Sequence, residues 1–223
     1  MADDFDLVQR LDIIRGVCAG RRVLHLGCTN YPFTEDAISN DMLLHSELEK
    51  VAGDLWGLDS DQPSIDILTS HGSEQVIFGD LEKLDEVELG GTFDVIVAGE
   101  IIEHLNNPGL FLRGVRRFMN LDSVLIITTV NAYCAMRFFY YGARGKRGKV
   151  EPIHPDHVAY YSYATLKLLI ERHKFELRNF YFYDLGKEHR PHHRPILSLL
   201  NDFCVRLSVQ WADGVIAICG LPD

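Results

Sequence analysis

A chain of 223 residues has the length of a single compact domain, 1–223, and its 47% hydrophobic and 24% charged content is that of a globular protein rather than a disordered or fibrous one. No apolar run approaches the roughly 20 residues a membrane span needs, and a formal charge of −10 repels a phosphate backbone and so weighs against nucleic-acid partners. Five cysteines without CxxC spacing suggest neither a zinc ribbon nor a disulfide framework, and the acidic opening MADDFDLVQR is unlike a secretory signal, so a cytoplasmic protein is expected.

In chain order, the runs RRVLHLG (21–27), DLWGLD (54–59), QVIFGD (75–80), FDVIVAG (93–99) and DSVLIITTV (122–130) are short, rich in Val, Ile and Leu, and bounded by Gly, Asp or Asn. Such runs predict buried parallel strands. Between them, 34–52, 62–72 and 107–120 carry helical spacing, and LNNPGLF sets Asn and Pro where a helix begins. This succession predicts an α/β fold with a doubly wound sheet. Residues 131–161, rich in Tyr, Gly and His, have little periodicity and predict a substrate-covering insertion. A helix over 162–173 is opened by Ser162 as its N-cap. Strands at 175–184 and 212–220 follow, with a helix at 196–209 between them; the stretch 186–211 is expected to serve as a lid or in a homodimer contact.

Ligands of open α/β sheets bind beyond the carboxyl ends of the strands. Gly27 ends the first run, Asp59 the second and Asp80 the third. Taken singly, a glycine there is a turn and an aspartate a helix cap. In this order and at these intervals, followed by the Phe93–Asp94 strand start, they resemble the class I S-adenosylmethionine-dependent methyltransferases across nearly the whole chain. The resemblance implies a Rossmann-like, mainly parallel sheet with a final antiparallel strand. It also implies that the loop at Gly27 and Cys28 holds the methionine part of the cofactor, that Asp59 with Ser60 holds the ribose, and that Asp80 with Leu81 contacts the adenine; Gly99 completes the set. Two departures stand out: GCTNYP keeps only the first glycine of the usual GxGxG, so that Tyr31 and Pro32 must shape the turn, and His25 replaces the usual acid of the first strand. A nicotinamide enzyme is disfavoured because GxGxxG is absent.

GEIIEHLNNPG, at 99–109, sets Glu100, Glu103 and His104 at i, i+3 and i+4, which on a helical turn share one face. They read either as first-turn acids with a packed histidine or as a face for a divalent cation. His154 and His157, in EPIHPDHVAYYS, fall within the long segment after the fifth strand. The combination is similar to the ubiquinone-pathway O-methyltransferases, which share FDVIxxxExxEHxxxP, and to the small-RNA 2′-O-methyltransferases, which add a downstream histidine. That likeness implies Glu100, Glu103, His104 and His157 as ligands of Mg²⁺ or Mn²⁺; the candidate catalytic histidines are His104, His154 and His157. A cation lowers the pKa of a bound hydroxyl and fixes its position, which two neighbouring hydroxyls would exploit best. A vicinal-diol acceptor is therefore expected, a sugar or glycan before a catechol or a ribose terminus, with His154 as candidate general base. The aromatic-rich NAYCAMRFFYYGARG either lines such a site or belongs to the core, and RGKRGK (144–149) either recruits a phosphate or is a solvated loop. The competing classes are a metal-independent small-molecule methyltransferase and a non-catalytic scaffold that keeps the fold.

Overall fold

A computed structural model of the protein describes residues 5–139, 156–184 and 195–222. His154 and the basic stretches at 144–149 and 187–194 lie outside the described residues, as does the middle of the expected insertion. The sheet has eight strands: β1 (Leu7–Val8), β2 (Arg22–Leu26), β3 (Asp54–Asp59), β4 (Val76–Phe78), β5 (Val95–Gly99), β6 (Val124–Val130), β7 (Glu176–Tyr183) and β8 (Gly214–Gly220). Their spatial order is β1-β7-β8-β6-β5-β2-β3-β4. All pairings are parallel except those of β8 with β6 and β7, so the antiparallel strand is the last in sequence, as expected.

Alternation along each strand divides the core between the two faces. Leu24, Leu26, Ile96, Ala98, Leu125, Ile127, Val215 and Ala217 point to one face, where α5 (Pro108–Val115) and α7 (Tyr163–Arg172) bring Phe111, Leu112, Leu166 and Ile170. Val23, Val95, Val97, Ile126 and Ile216 point to the other, against Ile14 of α1 (Arg10–Cys18) and Leu44 and Leu48 of α3 (Leu44–Glu49). Ser162 caps α7 as expected: its Oγ accepts from Thr165 N–H at 3.3 Å while Thr165 Oγ1 accepts from Ser162 N–H at 2.9 Å, a reciprocal pair. Asn107 likewise caps α5, accepting from Leu110 N–H at 3.1 Å with Pro108 in the first turn.

The structure differs from the sequence expectation in three places. The helix expected over 34–52 is two, α2 (Thr34–Ser39) and α3, because Asp41 adopts a left-handed backbone, φ +53°, that breaks the run. The helix over 107–120 is α5 followed by a 3₁₀ turn, Arg116–Phe118. Strand β1 and helix α1 were not anticipated. Further on, α4 (Gln62–Ser70), a short α6 (Ala135–Arg137) and α8 (Pro195–Leu207) complete the helices among the described residues. None of them is long and apolar enough to cross a membrane.

Both ends of the segment after β6 are fastened. Asn131 bridges to Tyr161, Ala132 N–H donates to the Tyr161 carbonyl at 2.8 Å, and the N–H groups of Val158 and Ala159 donate to the carbonyl of Glu103 at 2.9 and 3.2 Å. The returning chain is thereby held against the carboxyl end of β5.

Candidate active site

Beyond the carboxyl ends of β2, β3 and β5 lies a cleft of about 770 Å³. Its first wall is the turn after β2. Gly27 has φ +72°, and a Cβ there would stand 2.7 Å from Ile101 Cδ1, so both conformation and space demand glycine. Thr29, which occupies the position of the second glycine in the usual loop, is fully buried and uses its side chain instead. Its N–H and Oγ1 donate to Asp59 Oδ2 at 3.0 and 2.9 Å, while Asp61 N–H donates to Oδ1 at 3.1 Å. Asp59 thus ties the β2 turn to the end of β3 and stands in the cleft wall, where its remaining lone pairs can accept from a ribose. Asn30, at φ +67°, supplies a left-handed residue without a glycine.

Of the residues expected to hold the cofactor, Gly27, Cys28, Asp59, Ser60 and Gly99 line this cleft. Asp80 and Leu81 do not. Asp80 Oδ1 accepts from Glu82 N–H at 2.9 Å and Oδ2 lies 3.5 Å from Lys83 Nζ, so this carboxylate caps its own turn, and Leu81 packs into the core.

The opposite wall is built by ExxEH. Here the helical-face expectation is corrected: the segment is not an α-helix but a 3₁₀ turn, Ile102–His104, preceded by Glu100 at φ +55°. Turned by that backbone, Glu100 accepts a hydrogen bond from the Tyr183 hydroxyl and lies 3.8 Å from Arg10 Nη1. Burial, followed by the charge of Glu100, pushes the Tyr183 hydroxyl well up from the usual tyrosine range. Glu103 is fully buried; its Oε2 accepts from Thr129 Oγ1 at 2.8 Å, and its Oε1 has no hydrogen-bond partner. Burial, with the charge of Glu100 second, raises its carboxyl well above the ordinary range.

Potential ligand atoms of Glu103, His104 and His157 all lie within 4.8 Å of one another, and the two imidazoles meet edge to face with centroids 4.6 Å apart. Three of the four residues that the resemblance implied are brought together from two distant parts of the chain, and Glu100 stands outside the group. A buried carboxylate with an oxygen left unpartnered is costly unless protonated or matched by a cation, and two imidazoles beside it form a donor set that suits a divalent transition ion or Mg²⁺ with waters. The residues present therefore fit a cation. Arg10 and Tyr183, both in the cleft wall, were missed in the sequence: Arg10 sits on the unanticipated α1, and Tyr183 is the last residue of a strand whose aromatic run reads as core.

A family model described as a methyltransferase domain matches residues 18–179. A ubiquinone biosynthesis O-methyltransferase from Azorhizobium caulinodans is 30% identical over 115 residues, 50% of this chain and 41% of that protein, so the chain spans less than half the length of the curated relatives it matches. Among solved structures, an S-adenosylmethionine-dependent methyltransferase from Archaeoglobus fulgidus superposes with a TM-score of 0.59 at 16% identity, covering 94% of both chains. A second, from Mesorhizobium loti, gives 0.58 at 14% identity over 94% of this chain and 95% of that one. At these identities the superpositions speak for the fold, while the family match spans most of the sequence: the chain belongs to the methyltransferase domain family.

Proposed function

We propose that the protein is an O-methyltransferase that acts on a hydroxyl of a vicinal-diol acceptor of the sugar type, with Mg²⁺ or Mn²⁺ held by Glu103, His104 and His157. The observation that carries this reading is the grouping of the buried Glu103 carboxylate, one of whose oxygens is unpartnered, with His104 and His157 of the cleft wall. The relatives named as ubiquinone biosynthesis O-methyltransferases support transfer to oxygen. The formal charge of −10 favours a small neutral acceptor over a polyanion.

The cofactor supplies a methyl already activated by its sulfonium, and a bound cation supplies a lower pKa for an acceptor hydroxyl. What remains for the protein is alignment and proton removal. Gly27 and Asp59 hold the donor on one side of the cleft, and the Val158 and Ala159 hydrogen bonds to the Glu103 carbonyl set His157 on the other. His104 and His157, both neutral imidazoles when they ligate, are also placed to take up the hydroxyl proton if no ion is bound. A metal-independent reading draws on one observation, the commitment of Glu100 to Tyr183 and Arg10, which leaves three protein ligands rather than four.

Methyl transfer from labelled S-adenosylmethionine to a panel of sugars, catechols and ribose-ended RNA, with Mg²⁺ or with EDTA, separates the two. Transfer to a diol that EDTA abolishes and Mg²⁺ restores supports the proposal. Transfer that survives EDTA, with His104→Ala and His157→Ala variants still active, overturns it in favour of the metal-independent enzyme.

A further inference from the structure

Helix α8 is apolar on two opposite faces. Its inward face sends Cys204 and Val205 into the core, along with Asn201, whose amide donates to both carboxylate oxygens of Asp184 at 2.8 and 2.9 Å. These contacts fix the rotation of the helix about its axis. In that rotation Ile196, Leu199, Phe203 and Leu207 point outward and are 74%, 69%, 60% and 72% exposed. Their spacing, i, i+3, i+7 and i+11, draws one stripe along the helix. The apolar surface continues beyond it: Phe138 follows α6 and Trp211 ends the 3₁₀ turn Val209–Trp211, the two elements that pack against α8, and both rings are exposed. Phe139 joins them, with ring centroids 5.4 Å from Phe138 and 6.1 Å from Trp211.

A single exposed leucine is ordinary, whereas a contiguous apolar patch of several hundred Å² marks a surface that is covered by something. Side chains of this size, exposed to this degree, present on the order of 500–600 Å² together. A standard interface takes about 800 Å² from each partner, somewhat over half of it apolar. The patch matches that apolar share. The stripe is also self-complementary. When two copies of α8 lie antiparallel about a two-fold axis at the level of Asn201, Ile196 meets Leu207 of the second copy and Leu199 meets Phe203 of the second copy, so every apolar position finds an apolar one. Helices that lie on membranes instead carry a polar face rich in Lys and Arg, and the only charges on α8 are Asp202 and Arg206. We propose that the outer face of α8 is the contact between two copies of this chain. The inference is independent of the methyl donor, of the acceptor and of any cation.

Sedimentation equilibrium of the full chain across the micromolar range tests it. The expected result is a reversible dimer. Phe203→Glu places a carboxylate on both sides of the contact and should weaken association by about 30-fold or more, with Leu199→Glu acting in the same direction. Both positions are exposed, so circular dichroism of the variants should match that of the wild type. A wild type that stays monomeric, or a dimer that neither substitution weakens, overturns the proposal. Hydrogen exchange of the wild type gives a second reading that needs no variant: amides of α8 should exchange more slowly as the protein concentration rises through the association range. Exchange in α8 that ignores concentration overturns the assignment of the contact. Because KEHRPHHR (187–194) stands just before α8 in the sequence, phosphatidylglycerol vesicles are included. Monomer that co-sediments with them, and no longer does so in either variant, overturns the dimer in favour of a membrane surface.

Discussion

His25, on β2, and His45, on α3, are buried with Nδ1 facing Nδ1 at 3.2 Å, and this pair makes stability depend on acidity in a defined window. An unfolded chain takes up a proton on His45 near pH 6.5, whereas burial in the folded state lowers that value to about 4. Between these limits the unfolded state binds a proton that the native state refuses, so stability is fully present above about 6.5 and is lost as the pH falls towards 4. At about 1.4 kcal/mol per unit, the shift corresponds to roughly 3 kcal/mol from His45, with His25 acting in the same direction. That is a large share of the 5–15 kcal/mol typical of a domain. Urea unfolding followed by circular dichroism at half-unit steps from pH 4 to 7.5 measures it, with a His25→Phe/His45→Phe double variant as reference. Carboxylates elsewhere titrate in both proteins and cancel in the comparison. The wild type should lose roughly 3 kcal/mol more than the variant across the window. Parallel pH curves would refute the reasoning and mean that the pair is protonated, or solvated, in the folded protein.

Other perturbations have definite outcomes. Glu103 is raised where the histidines are lowered, so its contribution is present below the ordinary carboxylate value and lost as pH rises through its folded value; Glu103→Gln should therefore melt no lower than the wild type at pH 8 without metal, while turnover falls by orders of magnitude. Gly27→Ala should cost about 1–2 kcal/mol for the left-handed backbone and weaken S-adenosylhomocysteine, and an added Ile101→Ala should recover only the part due to the 2.7 Å approach, as read by calorimetry and urea midpoints. Asp59→Asn sets an amide N–H₂ against donors that Asp59 now satisfies, and should weaken S-adenosylhomocysteine about tenfold or more. Asp80→Ala, whose carboxylate caps a turn outside the cleft, should change that affinity by no more than about twofold.

The strands were legible because a strand buried on both faces is apolar throughout, and β2, β3, β5 and β6 are such strands, at the centre or nearly so. β1 was not, since two residues carry no pattern and their pairing is supplied by β7, some 175 positions away in the chain. α1 escaped because only Ile14 and Cys18 of its nine residues are buried, a stripe too thin to stand out among its charges. At the site, the sequence singled out Gly27 and Asp59, which line the cleft, and Glu103, His104 and His157, whose donor atoms the structure brings close together. The direction of Glu100 depends on a positive φ, which spacing does not encode. The contact between His25 and His45, twenty residues on and in another element, is likewise invisible to spacing. Asp80 shows the converse: it stands at the end of a strand as expected, and spacing does not reveal that its Oδ1 also accepts from Glu82 N–H in its own turn.

The clasp at the two ends of the post-β6 segment has a bearing on how such an enzyme diversifies. Asn131 and Ala132 meet Tyr161, and Val158 and Ala159 meet a backbone carbonyl, so the fastening is made by main-chain groups that any sequence possesses. Between those fixed points the chain can lengthen or shorten cheaply, since doubling a loop adds only about 0.6 kcal/mol of closure entropy. The cleft's wall at β2 and β3 lies outside that stretch, so exchanging it tests the donor and acceptor sides separately. Chimaeras that exchange residues 133–156 and keep His157 are expected to alter the acceptors used while leaving S-adenosylhomocysteine affinity unchanged.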